Sequence, residues 1–275
     1  MTVSGLSPAS FRLDGRVAVV TGAGGKLGPV WVEALTEAGA SVACIDLPGA
    51  STAWAKDLIA HYGSDRVALG EVDVTSRNSL EAALAWCTET LGAPSILVNN
   101  AGIDAPPAGN APRAPLEGIK PDVWRSVLEV NLVGAFQAAQ VFSRPMVAAG
   151  SGSIVNVGSL YASVSPDARF YSHLGGDPPF LKPPAYGASK AALVSLTQYL
   201  ATHWAPHGVR VNALSPGGVR GGQDPEFVRK FTDRVPLGRM AEAGDLKGPL
   251  VFLASDAASY VTGFELRVDG GFTAW

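Results

Sequence analysis

Six short apolar runs, at 16–20, 40–46, 66–74, 95–100, 152–159 and 209–215, recur along the chain without the strict alternation of a strand exposed on one face. Runs of that kind fit strands covered on both faces. The stretches between them are longer and carry a helical period. Leu27, Val30, Trp31, Ala34, Leu35 and Ala38 fall on one helical stripe, with Pro29 suited to the first turn and Gly39 to the end. Strand and helix in alternation require right-handed crossovers, so the expected fold is α/β: a doubly wound, Rossmann-like parallel sheet of about seven strands with helices on both faces. Ligands of such sheets sit beyond the carboxyl ends of the strands, and residues just after strands become the functional candidates.

A chain of 275 residues that is 47% hydrophobic and 16% charged can bury a large core. No linker or repeat interrupts it, so 13–275 reads as a single domain after a flexible tail at 1–12. A net charge of -3 and the absence of any Lys/Arg run argue against nucleic acid as a partner. The first residues lack the basic start and apolar stretch of a signal peptide, and no segment approaches the roughly 18 apolar residues of a membrane span. A cytoplasmic protein without a membrane partner is expected. Cys44 lies in a strand-like run and Cys87 in a helix-like one, which suggests buried thiols. His203 and His207 stand at i, i+4 spacing with no further ligand nearby, so no metal is expected.

The first strand leads directly into Thr21-Gly22-Ala23-Gly24-Gly25-Lys26-Leu27-Gly28 and then into the amphipathic helix. Glycines between a strand and a helix let backbone amides and the helix N-terminus approach a pyrophosphate. Asp46 ends the second run, about where an acid that hydrogen-bonds adenosine ribose hydroxyls is expected, and its charge would repel the extra phosphate of NADP. Asp73-Val74 and Asn99-Asn100-Ala101-Gly102 continue the series of polar or small residues at strand ends.

Across about residues 13 to 272 the chain resembles the short-chain dehydrogenase/reductase family. Thr21 to Gly28 is similar to the family's glycine motif, Asp73 to its adenine-contacting acid, and Asn99 to Gly102 to its NNAG segment. One departure is Lys26, which holds the place of the middle glycine. The resemblance implies NAD as cofactor, held by Gly22, Gly24, Lys26, Leu27, Gly28, Asp46, Leu47, Asp73, Val74, Asn100, Ala101 and Gly102. Ser215-Pro216-Gly217-Gly218-Val219 resembles the segment lining the nicotinamide site, which adds Pro216, Gly217 and Val219. The threonine common shortly after it is replaced by Gly221.

Of the six tyrosines only Tyr186 has a lysine, Lys190, four residues on, a spacing that puts both on one helical face. A free tyrosine has a pKa near 10, so ionising it at pH 7 requires about 4 kcal/mol. A cation roughly 4 Å away at an effective dielectric near 20 offers about that much. The resemblance makes Tyr186 the acid/base, gives Lys190 the nicotinamide ribose as well, and implies that Asn131 supports a proton-relay water. It also makes Ser159 the serine that polarises the reacting oxygen. Ser159 stands 27 residues before Tyr186, beyond the family interval, whereas Ser172 at 14 fits the interval better. A strand end positions a side chain more firmly than a loop does, which favours Ser159. The segment at about 160–185 is then an active-site insertion, expected to cover the substrate and to pack through Phe170, Tyr171 and Phe180. Arg169, His173, Asp177 and Lys182 within it are candidates to bind a polyhydroxylated or anionic substrate.

The implied activity is hydride transfer between nicotinamide and a secondary alcohol or ketone, with a sugar, polyol or sugar acid as the substrate class and a homotetramer as the assembly. Two alternatives remain at this stage. A sugar-nucleotide epimerase or dehydratase usually carries a longer C-terminal domain than the roughly 60 residues after the sixth run. A non-catalytic nucleotide-sensing module would not need Asn131, Ser159, Tyr186 and Lys190 together.

Overall fold

The computed structural model describes residues 8–104, 115–180 and 182–275. Seven strands form one parallel sheet: β1 (Val17–Thr21), β2 (Ser41–Asp46), β3 (Val67–Glu71), β4 (Ile96–Asn99), β5 (Gly152–Val157), β6 (Val209–Pro216) and β7 (Glu265–Val268). Their order is β3-β2-β1-β4-β5-β6-β7, so the winding reverses between β1 and β4, where a doubly wound sheet opens its ligand crevice. Among the described residues eight α-helices connect them: α1 (Gly28–Glu37), α2 (Ala55–Tyr62), α3 (Arg77–Thr90), α4 (Pro121–Leu128), α5 (Ala135–Ala149), α6 (Pro184–Trp204), α7 (Pro225–Thr232) and α8 (Gly244–Ala254).

The absence of alternation in the apolar runs has its cause in two cores. On one face, Trp31 and Leu35 of α1 meet Leu246, Leu250 and Leu253 of α8 over Val20, Val42 and Val155. On the other, Leu80 of α3, Phe142 and Met146 of α5 and Leu200 of α6 cover Val19, Leu97 and Ile154. Burying one such side chain is worth about 1.5–3 kcal/mol, so strands gripped on both faces give their carboxyl ends little freedom. The predicted α1 stripe is the buried one, and Gly39 ends that helix with φ +114, a conformation costly for a residue with Cβ. Cys44 and Cys87 are both buried free thiols.

Three features differ from expectation or go beyond it. Within the expected tail 1–12, Pro8–Phe11 form a 3-10 turn, and Leu13, the first residue of the expected domain, is completely buried, its amide donating to Ala38 O at 2.8 Å. Residues 1–7 lie outside the described residues. Between α4 and α5, Glu129–Gly134 is π-helical, and π turns inside helices gather at functional sites. The insertion is folded onto α7: Phe170 and Tyr171 sit on a 3-10 turn at Ala168–Leu174 and stack against Phe231 and Phe227, with ring centroids 5.6 and 5.3 Å apart. Asp167 caps that turn, held down to about 2 chiefly by its hydrogen bond with Arg169, with Arg234 adding to it.

Candidate active site

The glycine loop leaves β1 and is fixed from beneath. Thr21 Oγ1 accepts the amides of Asn100 and Ala101 at 3.0 Å each. Asn100 returns the support, its Nδ2 donating to the carbonyls of Thr21 and Gly22 while its Oδ1 accepts from Trp31 Nε1 at 2.8 Å. The loop therefore cannot move without β4 and α1. Close approach explains its glycines: a Cβ on Gly22 would lie 2.7 Å from Ala101 Cα, and one on Gly28 would overlap the backbone of Ala23. Asp46 leans over the loop from β2, with Oδ2 accepting the Gly24 amide and Oδ1 the Leu47 amide, both at 2.7 Å. Among the described residues the amides of Lys26 and Leu27 have no acceptor. Exposed amides at a helix start, a glycine cradle and a fixed carboxylate at the neighbouring strand end suit a dinucleotide.

The other predicted contacts of the cofactor arc are also strand-end residues. Asp73 holds the turn after β3 through Thr75, accepting from its amide at 2.9 Å and its hydroxyl at 2.7 Å. Val74 is buried and packs where a Cβ on Gly134 would stand. After β6, Gly217 passes so close to Asp269 that a Cβ would sit 2.7 Å from its Cα, and Val219 pairs with Ala241 in a single bridge. Lys26 crosses the cleft to that segment, Nζ standing 3.3 Å from Val219 O. Pro216 closes β6 directly before these glycines.

Four residues named from the sequence meet at the carboxyl ends of β4 and β5. The Ser159 hydroxyl faces Tyr186 and favours its ionised form, whereas Ser172 bonds Arg169 O and Lys230 at the surface. Lys190 is buried and donates to Val157 O at 2.7 Å. Asn131, in the π turn, accepts from Ile103 N at 2.7 Å and donates to Ile103 O and to Ser189 Oγ. Gly102 closes the group, since a Cβ there would lie 3.3 Å from Asn131 Oδ1 and 3.5 Å from Lys190 Nζ.

The electrostatics require a correction to the arithmetic made on spacing. Tyr186 is pushed up to about 12, first by burial and then by the Asp104 carboxylate, with the Ser159 hydroxyl opposing both. Lys190 is pulled down to about 8 by burial. Its ammonium lies 5.9 Å from the Tyr186 ring centroid. Desolvation disfavours the charged form of each partner and outweighs their attraction here.

The insertion contributes unevenly. Lys182 reaches the centre: its ammonium pairs with Asp104 at 2.6 Å and lies over the rings of Tyr186 and Tyr161, at 5.2 and 5.4 Å from their centroids. The other three candidates face elsewhere. Arg169 pairs with Asp167, His173 with Asp224 at 2.8 Å, and Asp177 is exposed. Sequence reasoning missed Asp104, although it follows the NNAG segment by two residues. It also missed Tyr161, two residues past Ser159, whose ring lies under the Lys182 ammonium. Among the described residues no three His, Cys, Asp or Glu side chains gather as metal ligands, and no helix is long and apolar enough to cross a membrane.

A glycine cradle at the switch point of a doubly wound sheet, with a buried lysine and a tyrosine faced by a serine beyond the strand ends, defines a nicotinamide-dinucleotide oxidoreductase. The sequence profile described as Enoyl-(Acyl carrier protein) reductase matches residues 25–273. Galactitol 2-dehydrogenase (L-tagatose-forming) of Cereibacter sphaeroides is 38% identical over 96% of this chain and 98% of its own. D-threitol dehydrogenase of Mycolicibacterium smegmatis is 36% identical over 96% of this chain and 95% of its own. Among solved structures, gluconate 5-dehydrogenase of Burkholderia cenocepacia, in complex with NADP and tartrate, superposes with a TM-score of 0.82 at 33% identity, covering 97% and 98% of the two chains. A short chain dehydrogenase of Leptospira borgpetersenii with bound NAD+ gives 0.81 at 32% identity, covering 98% and 97%. The chain belongs to the short-chain dehydrogenase/reductase family. It is an oxidoreductase acting on CH–OH groups, and its cofactor is a nicotinamide dinucleotide.

Proposed function

We propose that this enzyme oxidises a secondary hydroxyl of a neutral polyol with NAD. The observation that carries the reading is Tyr186 with the Ser159 hydroxyl facing it and Lys182, Asp104 and Lys190 about it. Tyr186 Oη takes the proton of the substrate hydroxyl, and Ser159 Oγ donates to the same oxygen as the C–H bond breaks. When bound, oxidised nicotinamide accepts the hydride and brings a positive charge. Lys190, anchored on Val157 O, holds its charge near Tyr186 and would hold the cofactor ribose. Asn131 donates both amide hydrogens to Ile103 and Ser189, so a relay water at this residue would donate to Oδ1 or to the backbone carbonyl.

Asp46 supports NAD over NADP, because a carboxylate fixed by two backbone amides cannot swing away from an added phosphate. Lys182 supports a neutral substrate. Its ammonium already has Asp104 as counter-ion, and the pair offers both a donor and an acceptor to hydroxyl groups. Named relatives acting on galactitol and D-threitol point the same way. We also propose a cytoplasmic homotetramer, for which the exposed Tyr199, Tyr260, Phe264 and Trp275 offer contact surface. The test is NADH formation across galactitol, threitol, glycerol and gluconate, with NAD and NADP in parallel. Higher kcat/KM for gluconate than for any alditol overturns the substrate class, and equal efficiency with both cofactors overturns the role of Asp46.

A further inference from the structure

The two places where this chain departs from the family's cofactor motifs are far apart in sequence and touch in space. Lys26 stands in the glycine loop, and Gly221 stands where a threonine is usual. A Cβ on Gly221 would lie 2.7 Å from Lys26 Cε and 3.0 Å from Nζ. A side chain at 221 would therefore displace the flexible end of Lys26 from this position.

We propose that Lys26 is a diphosphate-binding side chain and that Gly221 is the opening that admits it, the two working as one unit; this rests on the dinucleotide reading above. Lys26 is exposed as a residue, but its ammonium reaches a part-buried contact with Val219 O and has no carboxylate partner among the described residues. Burial and the nearby Lys182 charge both hold it below the usual lysine range, so an arriving anion relieves an uncompensated cation. Its one bond, 3.3 Å to Val219 O, is expendable, because that carbonyl also accepts from Gln223 Nε2 at 2.8 Å. Lys26 can turn away and leave no acceptor orphaned. Beside it are the amides of Lys26 and Leu27, which have no acceptor among the described residues and open the ten-residue helix α1, whose N-cap Leu27 supplies no side-chain bond. Two amides and an ammonium with a loose partner form an acceptor site for a group with several charged oxygens, which in a dinucleotide is the diphosphate.

The experiment measures binding without turnover. NADH is titrated by fluorescence, and ADP and adenosine by competition, on wild type, Lys26→Gly, Lys26→Gln, Gly221→Thr and the Lys26→Gly/Gly221→Thr double variant, each checked for wild-type melting. Loss of one charge-assisted contact predicts about tenfold or greater weakening of NADH and ADP in either Lys26 variant, with adenosine within about twofold. Gly221→Thr should weaken NADH by a similar factor alone and add little once Lys26 is gone. Unchanged ADP affinity in both Lys26 variants, or independent multiplying losses in the double variant, overturns the proposal. If Gly221→Thr melts early, the Lys26 variants with ADP against adenosine decide alone. A wild type that binds ADP through Lys26 but never NADH refutes the dehydrogenase reading and leaves the anion site standing; one that binds neither refutes both.

Discussion

Replacing Lys190 by Met tests how Tyr186 is brought within reach of ionisation. With Lys190 in place the buried phenol lies at about 12, and at 1.36 kcal/mol per unit its ionisation at pH 7 requires about 7 kcal/mol. The Lys190 ammonium is 5.9 Å from the ring centroid. Removing a unit charge about 6 Å from the phenol, with an effective dielectric near 20, costs its ionisation about 2.8 kcal/mol more, or about two units. In the wild type the positive charge of oxidised nicotinamide has to supply most of the ionisation energy. Alcohol oxidation needs the phenolate, so its kcat/KM rises with pH, while carbonyl reduction needs the phenol and falls. Lys190→Met should therefore shift the rising limb of oxidation upward by about two units, and Lys190→Arg should restore most of the shift. The assay is NADH appearance with an alditol at saturating NAD, from about pH 6 to about pH 10.5, a span that brackets both limbs. Lys190 itself sits at about 8, so the limb belongs to the coupled pair and not to either residue. A Met variant whose limb stays within about half a unit of wild type would refute the electrostatic role of Lys190.

Tyr186→Phe should keep NADH binding and lose at least about 10²-fold in turnover, the lower end of general acid/base contributions; near-normal turnover rejects the assignment. Asp46→Ala should narrow the preference for NAD in kcat/KM and loosen the glycine loop, since the Gly24 and Leu47 amides lose their acceptor; an unchanged ratio excludes charge repulsion as the cause. Replacing 162–183 with a short Gly-Ser link removes Lys182 and the aromatic packing on α7, and should raise KM for the polyol while NADH affinity stays within a few-fold. Wild-type substrate ranking in that variant would place specificity in 103–121 or 218–234 instead.

The sheet was legible because a strand gripped on both faces needs an unbroken apolar run, and runs of four to eight residues separated by amphipathic stretches have few other solutions. Ser159 and the glycine loop could be placed because they follow such runs directly, and Tyr186 and Lys190 because of their four-residue spacing within the family pattern. Other features depend on what the backbone does between elements. The π turn at 129–134 adds a residue to a helix without altering its composition, so no periodicity marks it. Lys182 and Asp104 are 78 positions apart, and their meeting depends on the route of the insertion. The value of Tyr186 was misjudged because spacing counts the cation and not the desolvation, which is a property of everything packed around the phenol. Lys26 and Gly221 were each visible as departures, but their contact needs the fold.

The π turn has a structural consequence at the reacting residue. Asn131 is completely buried within it, and Nδ2 donates to Ser189 Oγ at 3.0 Å; that hydroxyl in turn donates to the carbonyl of Tyr186 at 2.7 Å. The same amide holds both backbone groups of Ile103, next to Gly102 and before the Asp104 that pairs with Lys182. One side chain thus ties the loop after β4 to the first turn of α6. An uninterrupted α-helix would rotate Asn131 away from one of these partners, and a buried amide left unpaired costs about 1–3 kcal/mol. The extra residue at 129–134 is therefore what lets a single asparagine satisfy both. Tyr186 is held from its backbone through Ser189 and faced at its hydroxyl by Ser159, so its position is set by β4, β5 and the π turn together and not by α6 alone.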